Sequence, residues 1–354
     1  MRAAFIKEGQ RGGEMAEKKT TIHDVASQAG VSITTVSMVL SGKGRISAET
    51  AARVQAAIQT LGYLPNRQAA TLRGGRSGTV GLIVRDLCAP FYAEVTAGLG
   101  ETLEAEGRTL LLAQGGAQGH GTLRAAESLL RQGVEGLVLA GNLLHGLEVR
   151  QRAETAGVPL VCAARGAALE GMDLVRPDNQ QAARLATRHL VDGGHKQIAY
   201  LGGAGHSLTR AERLGGFCAT LLQYGLPFHP EWVIESDGRQ GIAAKTEALL
   251  RRHPQITALV CHDAAVALGA YFGVISTGRA LGGQALEGLY SPRITLVGFG
   301  EASDAMLAEL PLTLVSAEAR EVGRSAANRL LQKIDGDTTL RQWVVAPQLT
   351  VREG

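Results

Sequence analysis

The stretch that decides the fold of the N-terminal region reads TIHDVASQAGVSITTVSMVLSGKGRIS and spans residues 21–47. Thr21 and Asp24 have the spacing of a capping box, which predicts the start of a helix. Gly30 marks a tight break before a second helix, and apolar residues recur every three or four positions. Helices this short are unstable alone in water, so their apolar faces must pack together as a helix-turn-helix. The pattern predicts helices at 22–29, 33–40 and 48–61.

Hydroxyl groups line the outer face of the second helix. Serine and threonine hydroxyls bind phosphate oxygens, and side chains near the start of such a helix reach base edges in the major groove. Residues 20–77 also hold six basic side chains against two acidic ones, which favours a polyanionic partner. A structural three-helix domain with solvated hydroxyls is the alternative.

Beyond residue 78 the pattern changes to alternating strands and helices, with Pro90 at the first turn of a helix over 91–106. Short apolar runs are typical of parallel strands that are covered on both faces. Their number predicts two doubly wound α/β lobes. The predicted strands are 79–84, 109–113, 134–139, 159–163, 197–202, 256–261, 294–299 and 312–316.

The domain boundaries follow from these changes of pattern. Residues 1–19 are polar and aperiodic, so we expect disorder there, and translation could start at Met1 or Met15. Neither a membrane span nor a secretory signal is evident, which favours the cytoplasm. The four cysteines form no metal-binding or disulfide pattern, and we expect all of them to be buried. The predicted domains are a disordered extension (1–19), a DNA-binding head (20–65), a hinge helix and linker (66–77) and a two-lobed core (78–354).

Two adjoining segments carry a resemblance to a known family. The stretch over 21–47 resembles the head of LacI/GalR repressors, and GYLPNRQAATLRGGRSGTVGLIV (62–84) resembles their hinge and first core strand. Weaker matches include APFYAEVTAGL, RLGGF, DAAVALGA and ITLVGF, while LIVRDLCAPFYAE, VRPDN and LTRAERLGG are similar to the maltose-regulon branch. The resemblance implies lobes of the periplasmic-binding-protein type and a homodimeric repressor of sugar genes. Its implied partners are a near-palindromic DNA operator and a small sugar or sugar-phosphate effector, without metal or cofactor.

The resemblance also assigns DNA contacts residue by residue. Met38 stands where many relatives carry Arg; because Arg reads guanine bidentately and Met can only pack, we expect a different operator preference. In the hinge, Leu72 matches a leucine that wedges between base pairs, and Ala69 of the same segment is a further DNA-binding candidate. The base-reading positions are Ile33, Thr34 and Met38. The phosphate-contacting positions are Thr21, Ser32, Thr35, Ser37, Ser47 and Asn66.

Polar residues that follow the predicted strands should meet in a cleft between the lobes, because ligands bind at the carboxyl ends of such strands. Phe91 and Tyr92 could stack on a sugar ring. Several departures from sugar-responsive relatives, such as Gly300 in place of an Asp, remove carboxylates that grip hydroxyls and favour an anionic ligand. Arg85, Arg165 and Glu301 could instead form ion pairs between the lobes. The effector candidates from these arguments are Asp86, Phe91, Tyr92, Arg165, His262 and Glu301. The family resemblance adds Arg213, which matches a position that contacts the effector.

Other functions fit the sequence less well. No protease, hydrolase, dinucleotide-binding or P-loop motif is present, so an enzyme is not expected. A periplasmic solute-binding protein would not carry residues 20–77. A DNA-binding repressor without a ligand response remains an alternative. The chain ends without a leucine heptad tail, so we expect a dimer rather than a tetramer.

Overall fold

The computed structural model divides the chain into two compact units, one ending at Arg76 and the other beginning at Ser77. The predicted extension over 1–19 and the hinge residues 66–76 lie outside the described residues. The structure describes residues 20–41, 44–64, 77–116, 119–141, 145–165, 171–236, 241–282, 293–301 and 313–351.

The first unit contains the three helices that the sequence predicts. Gly30 ends the first of them with a left-handed backbone (φ +64°), which glycine adopts without strain. Val25, Val36 and Val54 are fully buried, one from each helix, and form the centre of a small core. Mutual burial therefore holds these short helices together. They are α1 (Ile22–Ala29), α2 (Ile33–Ser41) and α3 (Ala48–Leu61).

The second unit alternates strands and helices along most of its length. Its helices are α4 (Pro90–Ala105), α5 (Thr122–Arg131), α6 (Gly146–Thr155), α7 (Asn179–Asp192), α8 (Leu208–Gln223), α9 (Ile242–Arg252), α10 (Ala264–Ser276) and α11 (Ala319–Ile334). Its strands are β1 (Thr79–Val84), β2 (Thr109–Gln114), β3 (Gly136–Ala140), β4 (Leu160–Ala163), β5 (Asp173–Pro177), β6 (Ile198–Leu201), β7 (Val233–Ile234), β8 (Ala258–Cys261), β9 (Ala280–Leu281), β10 (Arg293–Phe299), β11 (Thr313–Ser316), β12 (Gln342–Val345) and β13 (Gln348–Thr350).

These strands form two sheets, which confirms the predicted pair of doubly wound lobes. The described strands of the first lobe are parallel, in the order β12-β5-β4-β3-β1-β2. The second lobe has the order β13-β11-β10-β8-β6-β7, with β9 beside β10 and β13 antiparallel to β11. The chain crosses between the lobes after β5, β11 and β12, so each lobe is built from separated parts of the sequence.

The second crossing returns α11 to the first lobe, where it packs closely against α4. Gly98 and Gly323 make this approach possible. A Cβ atom on Gly98 would lie 2.0 Å from the carbonyl oxygen of Arg320, and one on Gly323 would lie 2.1 Å from that of Val95. Two helices therefore meet backbone to backbone beside the lobe crossing.

All eight predicted strands are present, with ends within two residues of the predicted ones. The sequence missed five strands: β7 and β9 have two residues each, β12 and β13 are mostly exposed, and β5 is buried but contains the charged residues Asp173 and Arg176. The prediction that every cysteine is buried is wrong for Cys88, which is exposed on the loop before α4, and Cys218 is only partly buried. Among the described residues, no helix is long and apolar enough to cross a membrane.

Candidate functional site: the helix-turn-helix surface and the interlobe cleft

One serine hydroxyl lies at the start of α2 and another lies at the start of α3. The Ser32 Oγ accepts the N–H of Thr35 at 3.1 Å, and the two hydroxyl oxygens of this pair lie 2.9 Å apart. The Ser47 Oγ likewise accepts the N–H of Thr50 at 3.2 Å. Both serines are exposed, and in each Ser–Thr pair one of the two hydroxyl protons is not used in the hydrogen bond between the hydroxyl groups. A phosphate could therefore bind at either helix start, where backbone N–H groups favour anions.

The three predicted base-reading side chains lie on the exposed side of α2. Ile33 and Met38 are each 37% exposed, and Thr34 is exposed beside them, whereas Val36 faces the core. Large apolar side chains exposed together on so small a domain are available for contact with a partner. This surface matches the one expected to enter a DNA groove.

The remaining phosphate-contact candidates differ in how far they are exposed to solvent. Thr21 is exposed, and its N–H and hydroxyl both donate to Asp24, at 2.8 and 2.7 Å. Thr35 and Ser37 are only half-buried. The hinge candidates Asn66, Ala69 and Leu72 lie outside the described residues, so their roles stay predictions.

A cavity of about 200 Å³ separates the two lobes of the core. It lies at the carboxyl ends of the parallel strands, where doubly wound sheets bind ligands. Its walls come from both lobes, so a bound molecule would contact both. The first lobe contributes Ala89, Pro90, Phe91, Arg165 and Ala317, and the second contributes Arg213, Asp263, Ala264, Ala265, Phe299, Gly300 and Glu301.

Arg213 is the most deeply held charged side chain of this cavity. It is 4% exposed, and its guanidinium carbon lies 4.2 Å from the centre of the Phe299 ring. Its Nε donates to the Asn179 amide oxygen at 3.1 Å, and its Nη1 donates to the carbonyl oxygen of His262. Burial lowers the pKa of Arg213 to about 10, so the side chain remains charged at neutral pH. Its two hydrogen bonds fix the orientation of the guanidinium group.

Asn179 joins the two lobes beside Arg213. Its amide nitrogen donates to the Arg165 carbonyl oxygen of the first lobe and, at 2.8 Å, to Glu212 of the second. Glu212 also forms a 3.1 Å ion pair with Arg176 of the first lobe. The sequence showed Asn179 only as part of a family motif, yet it orients the predicted effector contact and links the lobes.

Phe91 and Arg165 form the first lobe's wall of the cavity. The Arg165 guanidinium carbon lies 4.9 Å from the centre of the Phe91 ring, which is itself 2% exposed. Tyr92 packs edge-on against Phe91, with ring centres 5.2 Å apart, and belongs to the hydrophobic core rather than to the cavity wall. Of the two predicted aromatic contacts, only Phe91 therefore reaches the cavity.

Two more predicted contacts do not line the cavity. The His262 ring is buried and lies 2.8 Å from the Tyr200 hydroxyl, and burial holds its pKa well below the usual range. The Asp86 carboxylate accepts the N–H of Cys88 at 3.0 Å, within its own loop. Asp263, next to His262, lines the cavity instead, and its carboxylate caps α10 by accepting the N–H of Val266 at 2.9 Å.

Glu301 reaches the cavity from the end of β10. It is 8% exposed, and its carboxylate accepts the hydroxyl of Ser316 at 2.8 Å. Burial raises the pKa of Glu301, while the hydroxyl and the backbone N–H groups of Ala317 and Ala319 oppose the shift. Among the described residues, neither Glu301 nor Arg165 forms the interlobe ion pair considered from the sequence, so both remain candidates for a ligand.

A helix-turn-helix unit joined to a two-lobed core with a cavity at its strand ends defines a class of ligand-responsive transcriptional regulators. Residues 21–66 match the family described as bacterial regulatory proteins, lacI family. Residues 77–348 match periplasmic binding proteins and sugar binding domain of LacI family. The chain therefore belongs to the LacI family of transcriptional regulators, and the predicted family and fold class are confirmed.

Individual relatives narrow this assignment. The chain is 50% identical over 331 residues to the maltose regulon regulatory protein MalI of Escherichia coli (strain K12), covering 93% of this chain and 97% of the relative. It is also similar to the structure of a transcriptional regulator CelR–cellobiose complex, with 30% identity, a TM-score of 0.66 and coverage of 94% and 99%. The lac repressor dimer bound to operator and the anti-inducer ONPF gives a TM-score of 0.78 at 26% identity, covering 95% and 99%.

Proposed function

We propose that this regulator represses sugar genes of the maltose type and responds to a small sugar or sugar phosphate bound between its lobes. The observation that carries the proposal is the presence, in one chain, of the exposed α2 surface and of the cavity that both lobes line. The first can read DNA and the second can sense a ligand. The likeness to MalI over nearly the whole chain supports the choice of target genes.

The proposed regulator has the domain boundaries that the sequence predicts. In this proposal residues 20–65 bind DNA, 66–77 act as the hinge, 78–354 sense the effector and dimerise, and 1–19 are the extension expected from the sequence. Two heads of a homodimer enter successive major grooves of a near-palindromic operator, as helix-turn-helix dimers do. We propose that the protein acts by binding rather than by catalysis and that it works in the cytoplasm, where its DNA partner lies.

The proposed coupling between ligand and DNA runs through the lobe crossings. A ligand that contacts Arg213 in one lobe and Phe91 in the other changes the relative stability of open and closed lobes. In the proposed homodimer, a change in lobe closure alters the spacing of the two hinges. Operator affinity then shifts by the differential affinity of the ligand for the two states.

The hinge offers the sharpest test of DNA binding. In gel-shift titrations, Leu72→Ala should weaken binding to the operator but leave binding to unrelated DNA nearly unchanged, because only the operator complex contains the kinked base step. Leu222→Ala removes another leucine, 61% exposed on α8 of the core, and serves as the control. An equal loss on both DNAs, or no loss for Leu72→Ala, would contradict the wedge.

A further inference from the structure

The chain enters the core at Ser77 and Gly78, and we call these two residues the hinge root. They join the hinge predicted from the sequence to β1, which begins at Thr79. The second compact unit of the chain begins at Ser77. Gly78 has a left-handed backbone (φ +63°), which glycine adopts without strain. Any movement of the core that reaches the head along the chain must pass through the hinge root.

One carboxylate holds the hinge root to the first lobe. The N–H of Gly78 donates to a carboxylate oxygen of Glu135, the residue before β3. The carbonyl oxygen of Gly78 accepts the N–H of Thr109, the first residue of β2, at 2.8 Å. The N–H of Glu135 in turn donates to the carbonyl oxygen of Thr79 at 2.8 Å. The root is therefore bonded to the starts of both strands that flank β1.

Arg108 fixes the side chain of Glu135. Its Nη1 donates to the carboxylate oxygen that Gly78 does not use. The two side chains are only 14% and 10% exposed, and such a pair is screened less by salt than an exposed one. A charged acceptor also forms a stronger hydrogen bond with a backbone N–H than a neutral one does. Glu135 therefore cannot turn towards solvent without losing a bond at each oxygen.

The hinge root and the interlobe cavity lie at opposite ends of one sheet. The described strands of the first lobe are parallel, the cavity lies at their carboxyl ends, and the root precedes the amino end of β1. The six residues of β1 span about 20 Å. Because the strands of a closely packed sheet move together, a rotation of the lobe displaces the root, provided that the root is fixed to the sheet.

We propose that Glu135 is a positioning residue for DNA binding, which holds the hinge root where the two hinges of a homodimer can order together on an operator. The proposal rests on the hinge and the homodimer of the proposed function. A protomer whose root detaches from the sheet is not competent, and the observed affinity falls with the competent fraction. Because a homodimer has two roots, a loss of about threefold at each gives about tenfold. Phosphate contacts of the heads do not need ordered hinges, so unrelated DNA should bind as before.

Three substitutions in the full chain separate this role from the stability of the lobe. Glu135→Leu removes the acceptor for Gly78 and should weaken binding to an operator selected from random DNA about tenfold. Glu135→Gln keeps an oxygen that accepts the Gly78 N–H, and Arg108→Met keeps the carboxylate itself, so both should retain most of the operator affinity. Glu135→Leu and Arg108→Met each leave one charge of a partly buried pair, so both should lower the Tm.

Fluorescence anisotropy gives the affinities for the operator and for a scrambled sequence, and hydrogen exchange measured by mass spectrometry reports on residues 77–84. Exchange at the hinge root should quicken in Glu135→Leu but not in Arg108→Met. Glu135→Asp is one methylene shorter, so it should lose the bond to Gly78 while keeping a charge beside Arg108, and it replaces Glu135→Leu if that variant does not fold. An operator affinity that the loss of this bond leaves unchanged, or that falls in all three variants in step with the Tm, would overturn the proposal.

The wild-type chain separates this proposal from the proposed function. Equal binding of wild type to the operator and to the scrambled sequence would contradict the reading of DNA itself. Specific binding by wild type that Glu135→Leu does not weaken would overturn only the role of Glu135.

Discussion

Replacing Asp173 should destabilise the core more than any change at its exposed ion pairs. Asp173 is 1% exposed at the start of β5. One carboxylate oxygen accepts Arg329 Nε and the N–H of Arg341 at 3.1 Å, and the other accepts Lys333 Nζ at 2.6 Å. A single carboxylate therefore ties β5 to α11 and to the segment that enters β12, the last strand before the chain crosses to the second lobe for β13.

The magnitude follows from what Asp173→Asn leaves behind. The amide keeps the size of the carboxylate but loses its charge, so Arg329 and Lys333, 7% and 15% exposed, face each other with less compensation. Breaking a buried pair from one side costs about 3–5 kcal/mol. Arg329 also contacts Asp337 at 2.7 Å, which places the expected loss of unfolding free energy near the lower end, about 3 kcal/mol.

Urea unfolding followed by tryptophan fluorescence measures this loss. Glu101→Gln is the matched control, since Glu101 pairs with Arg320 and Arg324 at the surface, where all three side chains are about half exposed. Exposed pairs contribute about 1 kcal/mol or less. If Asp173→Asn costs no more than Glu101→Gln, the buried network does not stabilise the core as argued.

Three further predictions concern packing, base reading and pH. Gly98→Ala should lower the unfolding free energy by about 1–3 kcal/mol in the same urea assay, because its Cβ would lie 2.0 Å from a backbone oxygen of α11. Gly100→Ala, with its nearest contact at 3.9 Å, should be neutral or stabilising, and equal effects would contradict the close approach. Met38→Arg should enrich guanine at one position of each half-site when operators are selected from random DNA, and an unchanged selection would argue against base reading there. Burial raises the pKa of Glu301 above its ordinary 4.5, so the stabilisation that this group contributes is fully present below pH 4.5 and is lost as the pH rises through the folded pKa. The Tm of wild type relative to Glu301→Gln should therefore increase towards acid, and a difference independent of pH would refute the assignment.

The central strands could be predicted from the sequence because burial alone determines their residue pattern. Strands such as β3 and β8 are buried on both faces and appear as unbroken apolar runs. The edge strand β12 reads QWVV and leaves Trp343 56% exposed, so no run marks it. β5 begins with the charged Asp173, whose counter-ions come from α11, far along the chain. The pairing of β5 with β12 depends on such distant partners, which the local sequence pattern does not contain.

The candidate site was predictable in place but not in every side chain. The rule that ligands bind at strand ends led to Arg165 and Glu301, and the family resemblance led to Arg213. These three residues line the cavity, as does the predicted aromatic contact Phe91. At the end of β8 the same rule selected His262 instead of Asp263, because successive side chains after a strand point in different directions. There the first residue after the strand bonds within the lobe and Asp263 faces the cavity.

The most direct test of the account is the affinity of the full chain for DNA with and without a cleft ligand. Fluorescence anisotropy would compare a selected operator with a scrambled one, alone and with a saturating neutral hexose or its 6-phosphate. We expect the operator to bind about a thousandfold more tightly than scrambled DNA or better, and at least one of these ligands to change that affinity about fivefold or more. Equal binding to both DNAs, or an operator affinity that no ligand of the cleft alters, would contradict the account.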